Sequence, residues 1–276
     1  MIAFCLLFTL TAQTGDEAAN RQAFQRTMAV FGKAGDVSFG ALVLQIANGF
    51  LGAPYRAGTL EGPGPEALVV DLRAFDCFTF TESVLALTRA ARATPPRFED
   101  FKAELQGLRY RDGTIDGYPS RLHYTSDWGF ENAKAGALKD VTASLGGLPY
   151  EKRIDFMSKH RGAYAALADD AFAGRIADAE RAINQRAHFY LPEALVPQKE
   201  NSIQDGDVLA LTTSIDGLDI AHVGLAIHRG GRLHMLHASS ASQRVEVTAE
   251  PLAEYLESLP TRTGIMVFRP LPPTTP

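Results

Sequence analysis

The chain has 276 residues, 46% hydrophobic and 21% charged, a balance that excludes both intrinsic disorder and a fibrous repeat. It is long enough to bury a sizeable core, as one large domain or two small ones. A formal net charge of -5, with no basic face, removes DNA and RNA from the expected partners.

Residues 2–10, IAFCLLFTL, form an apolar run followed by small and polar residues, TAQTG. The run is too short to span a bilayer as a helix. It fits the apolar core of a secretory signal peptide, although no basic residue precedes it. The alternative is an N-terminal helix packed on the domain. No lipobox-like pattern precedes Cys5, and no other stretch is apolar enough for stable membrane insertion. The expectation is therefore an exported protein with residues 1–15 as leader and 16–276 as a single catalytic domain.

Residues 16–33 read as a polar, Ala-rich helix. Val37 to Phe50 reads as a second, with Ser38 as cap and Gly49 and Gly52 near its end. A turn-rich stretch follows, and ALVVDL (67–72) has the character of a short strand. From Cys77, FTFTESVLALTRAAR has helical spacing, with Phe80, Val84, Leu87 and Ala91 on one face. Phe98 to Leu108 is a further helix. Residues 109–132 read as one long loop rich in aromatics and mixed charge, of the kind that is functional or mobile. Residues 158–187 hold one or two Ala-rich helices. Five β-type runs follow, at 206–213, 221–228, 232–239, 244–248 and 264–269, separated by Gly, Asp and Ser. Helices first and an antiparallel meander later define an α+β fold.

The chain has two cysteines, Cys5 and Cys77, so loss of the leader leaves one thiol and no disulfide within the chain. In FDCFTFTE, Cys77 opens a helix just after Asp76. Unpaired N–H groups and the positive end of the helix dipole favour a thiolate there and can hold a developing oxyanion. The alternative is a buried structural cysteine. Among the seven histidines, His222 opens one strand and His237 ends the next. Their spacing suits adjacent antiparallel strands joined by the RGGR turn, with one ring orienting the other and Gly224 leaving room beside His222. Nucleophile, base and orienter form the general triad pattern. For each histidine the alternative is a satisfied strand-end residue.

Taken in order, FLGAPYRAGTLE, FDCFTFTE, GDVLAL, AHVGLAIH and LHASS resemble the NlpC-type papain-like cell-wall peptidases. The resemblance implies Cys77 as nucleophile, His222 as base, His237 as the third polar residue, and Tyr55 lining the site. LGAPYRAGTLE, LVVDLRAFDCFTF, SRLHYTSDW and LDIAHVGLAI narrow it to the N-acetylmuramoyl-L-alanine amidase-like branch, first catalogued as a domain of unknown function. That branch implies hydrolysis of the bond between N-acetylmuramic acid and L-alanine in peptidoglycan or small anhydro-muropeptides, and a periplasmic setting. Ala53, Arg56 and Phe78 differ from residues common in the branch and bear on substrate preference.

SRLHYTSDWGFEN (120–132) gathers Arg121, Tyr124, Asp127 and Trp128, residue types that stack on a sugar or clamp a peptide carboxylate. The alternative is that Tyr124 and Trp128 pin the segment to the core. Glu82 lies off the face of Cys77 and reads as a structural contact. No HExxH or Cys/His spacing is present, and the glycines at 58–64 carry no phosphate-binding Lys-Ser/Thr, so neither metal nor cofactor is expected. Two alternatives stay open: a stem-peptide endopeptidase cutting between γ-D-Glu and the diamino acid, and a non-catalytic cell-wall binding module.

Overall fold

The computed structural model describes residues 16–32 and 37–274; the apolar run at 2–10 and Cys5 lie outside the described residues. The helices are α1 (Glu17–Phe31), α2 (Phe39–Asn48), α3 (Cys77–Ala90), α4 (Phe98–Arg109), α5 (Thr125–Lys134), α6 (Phe156–Lys159), α7 (Asp170–Asn184), α8 (Val196–Lys199) and α9 (Leu252–Glu257). The strands are β1 (Leu138–Asp140), β2 (Leu148–Pro149), β3 (Phe189–Pro192), β4 (Val208–Thr213), β5 (Ile220–Arg229), β6 (Arg232–Ser239), β7 (Arg244–Val247) and β8 (Arg262–Pro270). Helices and one antiparallel sheet make this an α+β fold, as expected.

The sheet runs β2-β3-β8-β4-β5-β6-β7, with β1 also on β8. Strands β4 to β7 form the expected meander. The last run does not extend it: β8 returns to the far side of β4, where Leu211 pairs with Ile265. β4 is buried along its whole length because both sheet faces are covered. One face sends Val208, Ala210, Val223, Leu225 and Phe268 into a core shared with α2, α3 and α4. The other sends Leu209, Leu211, Ala226 and Val267 against Val196, Leu252 and Leu256. Alternate residues thus enter opposite cores, and the run reads as continuously apolar.

Helix α3 lies inside this arrangement, with Phe80, Val84 and Leu87 fully buried. Its start is fixed by a capping box: Asp76 Oδ1 accepts from Thr79 N at 2.7 Å, and Asp76 N donates to Thr79 Oγ1 at 3.0 Å. Ser38 caps α2 through Ala41 N, and α2 ends at Gly49.

Two readings of the sequence give way. Residues 67–72 are not a strand. Side chains replace the ladder: Asn20 Nδ2 donates to Val70 O at 2.8 Å, Leu72 N donates to Asn20 Oδ1 at 2.8 Å, and Arg109 Nη1 donates to Val69 O at 2.6 Å. Residues 109–132 are not one loop, because α5 begins at Thr125. α5 has no cap from its own N-cap residue; Ser126 N instead donates to buried Asp219 Oδ2 at 2.8 Å, a cap supplied from the start of β5. Gly129 lets α5 meet β8, since a Cβ there would sit 2.2 Å from the Phe268 ring. Residues 158–187 resolve into one long helix, α7, preceded by short turns.

Candidate active site

Cys77 is the first residue of α3 and half-buried. The backbone amides of Val223 and Phe78 reach its sulfur, which sets the thiol against β5 one residue from His222. The His222 Nε2 to His237 Nδ1 distance is 2.6 Å, and the two rings stand nearly perpendicular at 89°. A register shift in the β4–β5 pairing falls where Leu211 faces His222 and Thr212 faces Ile220. Such an irregularity re-aims the neighbouring side chain. Gly224 provides the room, but on the side of His237: a Cβ at 224 would lie 2.9 Å from His237 Cβ and 2.8 Å from Leu236 O. On β7, Glu246 is paired with His237, and its charge partly offsets the loss of basicity that burial imposes on that ring.

The electrostatics correct one expectation. Burial, followed by the Asp76 charge, pushes the Cys77 thiol up to about 12, although the adjoining amides pull it partly back. Burial and the neighbouring His237 push His222 down to about 3, and burial holds His237 at about 4. Both shifts favour the uncharged thiol and imidazole over a thiolate–imidazolium pair. The helix dipole at Cys77 is outweighed by desolvation. Chemically, the arrangement suits proton transfer from sulfur to imidazole as the sulfur attacks a carbonyl.

Tyr55 is half-buried beside this group. Its hydroxyl is pushed up by burial and then by the charges of Cys77 and Asp76. Its backbone is tied in by Tyr55 N donating to Gln243 O at 2.9 Å. A cleft of about 250 Å³ is lined by Asp76 and Phe78, the residues on either side of Cys77, and by Glu61, Arg121, His123 and Tyr164; Cys77, His222, His237 and Tyr55 are not among its walls.

The other sequence candidates divide. Arg121 reaches the cleft, where Nη2 donates to Glu61 at 2.8 Å and the guanidinium lies 4.8 Å over the Tyr118 ring. Tyr124 lines the same cleft with its ring, but its hydroxyl turns inward and donates to Glu180 at 2.6 Å. Asp127 and Trp128 are not brought to it. Asp127 is buried between Arg111 and Arg186, each 2.5 Å away. Trp128 is buried between Phe78, at 5.6 Å, and Phe268, at 6.3 Å. Trp128 thus pins α5 to the core, as the alternative had it, whereas Tyr124, named with it there, also lines the cleft. Glu82 likewise forms a buried ion pair with Arg109 at 2.8 Å. Among the described residues no cluster of His, Cys, Asp or Glu suits a metal ion. Nor is any described helix long and apolar enough to cross a membrane.

Two neighbours of the thiol were not visible in the sequence. The Tyr255 ring, from α9, lies 5.7 Å from that of His237. Arg262, at the start of β8, acts by its charge on His222. Neither sits in a motif, and the place of Arg262 depends on which strand β8 pairs with.

A hydrolytic thiol site at the end of an antiparallel sheet is the class this geometry suits. The family model described as AmiA-like, N-acetylmuramoyl-L-alanine amidase-like, matches residues 45–265, and the chain belongs to that family. The crystal structure of an N-acetylmuramoyl-L-alanine amidase from Bacteroides uniformis is 38% identical, with a TM-score of 0.80 over 84% of this chain and 98% of that one. A second structure bearing the same name and organism gives 37% identity and a TM-score of 0.81, over 84% of this chain and 99% of that one. A Legionella pneumophila structure is 26% identical, with a TM-score of 0.69 over 94% of this chain and 97% of that one. No curated protein matches the chain.

Proposed function

We propose that the chain is a cysteine-dependent N-acetylmuramoyl-L-alanine amidase of the papain-like, NlpC-type architecture, acting on peptidoglycan or on muropeptides released from it. The observation that carries this reading is the His222–His237 pair, 2.6 Å apart, set beside a thiol at the start of a helix. Family membership supplies the bond class. Residues 16–276 are read as one catalytic domain, supported by strands from distant parts of the chain sharing one sheet. Export to the periplasm rests on the apolar run at 2–10 and on where such a substrate lies.

With Nε2 of His222 donating to His237, its Nδ1 lone pair is free for the thiol proton. The Cys77 sulfur then attacks the lactyl carbonyl of the muramic acid. Backbone amides at the start of α3 stabilise the oxyanion, with Tyr55 beside them. The C–N bond breaks as His222 returns the proton to the amine of L-alanine, which leaves a thioester on Cys77. Water attacks the thioester, His222 takes its proton, and the muramic acid carboxyl and the free thiol are released. His237 holds the His222 ring in register throughout, and is a positioning residue.

The test is product analysis of a defined muropeptide by mass spectrometry. The native chain should release peptides led by L-alanine, and Cys77→Ala should release none while giving an unchanged circular dichroism spectrum. Peptides led by the diamino acid would replace this reading with an endopeptidase. Full activity in Cys77→Ala would overturn the thiol mechanism.

A further inference from the structure

Several partly buried arginines are answered by carboxylates: Arg121 by Glu61, Arg111 and Arg186 by Asp127, and Arg269 by Asp207. Arg262 is different. It is half-buried, and its Nε is fully buried with no hydrogen-bond partner. Its one side-chain hydrogen bond runs from Nη1 to the neighbouring Thr261 Oγ1, at 2.9 Å, and no carboxylate among the described residues pairs with it. An unsatisfied buried donor on a charged group is costly, and a native fold keeps one where something else completes it.

Its place in the sheet says where that something lies. Arg262 pairs with Thr213 at the end of β4, just past a register shift, and its backbone N donates to Leu259 O at 2.9 Å. Two strands over, at the same end of the sheet, β5 begins at Ile220 and carries His222. The Arg262 charge acts on His222, and Tyr255 and Cys77 act on Arg262. Burial lowers the guanidinium from its usual value, though not to where it would lose its proton.

We propose that Arg262 is a specificity-determining residue that receives a free carboxylate of the stem peptide, adjoining the scissile amide. A carboxylate on the exposed side of the half-buried guanidinium supplies the counter-charge that no described carboxylate gives it. It also neutralises a cation held beside a histidine that has to accept a proton during the reaction. This assignment rests on the amidase reading for its substrate.

The probes are N-acetylmuramoyl-L-alanyl-D-glutamate and N-acetylmuramoyl-L-alanyl-D-isoglutamine, which differ by one carboxylate: the α-carboxylate is an amide in the second, and the γ-carboxylate is kept in both. Binding is measured first by calorimetry on the inactive Cys77→Ala chain, so that no hydrolysis is needed. The acid should bind about tenfold or more tightly than the amide, the scale of one charged hydrogen-bonded contact. Adding Arg262→Gln should bring the two within about twofold, and Arg262→Lys, which keeps the charge, should retain part of the preference. Steady-state kinetics on the native chain and Arg262→Gln should show the same loss mainly in KM. Equal binding of acid and amide, or a preference that survives in Arg262→Gln, overturns the assignment. Absence of cleavage by the native chain, with the binding preference intact, overturns the amidase reading and leaves the carboxylate contact standing.

Discussion

His222 is held by one of its own two nitrogens. Nε2 is committed to His237, so only Nδ1 is left for another partner, and on the proposed mechanism that partner is the Cys77 thiol. Loss of that contact should therefore lower turnover without unfolding the chain. His237→Phe, which keeps a ring but no acceptor, is expected to lower kcat by about 100-fold, the low end of what positioned acid–base groups contribute. His237→Asn, with a carbonyl oxygen on a short side chain, should recover part of it. Equal activity in the two variants would reduce His237 to packing. Arg262 belongs to this scale too, as a residue whose meaning comes from what is missing beside it.

At the scale of elements, α3 depends on an internal ion pair as well as on its cap. Glu82 and Arg109 join α3 to α4 and are both almost fully buried. Breaking one side leaves a buried charge uncompensated, which costs about 3–5 kcal/mol. Arg109→Met should lose stability on that scale in urea denaturation, and Glu82→Leu with Arg109→Met should regain most of it. A single variant as stable as the native chain would show that Glu82 is neutral in the folded state. The start of α3 was legible because Asp76 and Thr79 are its own neighbours. The start of α5 was not, because its cap, Asp219, lies far along the chain. The extended segment at 67–72 was misread for the same reason, its hydrogen-bond partners being Asn20 and Arg109.

For the whole molecule, buried imidazoles set the response to acid. His123 and His222 are held at about 3 and His237 at about 4 by burial, against an ordinary value of 6.5. An unfolded chain binds protons at these rings below pH 6.5, while the folded chain resists until near pH 4. Protonation thus favours the unfolded state, and stability is full above pH 6.5 and declines as pH falls toward the folded values. Melting temperature should drop steadily between pH 6.5 and 4, and His123→Phe should flatten part of the slope. A melting temperature constant across that range would mean that the rings are charged in the folded protein. The meander was readable from the alternation of apolar runs with Gly and Asp turns. The return of β8 to β4 was not, because pairing between distant strands leaves no local trace, and with it Arg262 stayed hidden.

The hairpin that carries both histidines has its own consequence. His222 and His237 sit on β5 and β6, joined by a tight turn at Gly230 and Gly231, both in the left-handed region. Their mutual spacing is set within that hairpin, while Cys77 is set by its own cap. The stretch between α4 and α7, its buried residues apart, pairs with neither histidine strand and can change without altering the distance between the two rings. It is also the stretch that supplies Arg121, His123 and Tyr164 to the cleft wall. On the proposed mechanism, reaction chemistry and much of the cleft shape are thus carried by separate parts of the chain, and the cleft-lining residues between 110 and 170 can be varied for substrate preference while the thiol and the histidine hairpin stay untouched.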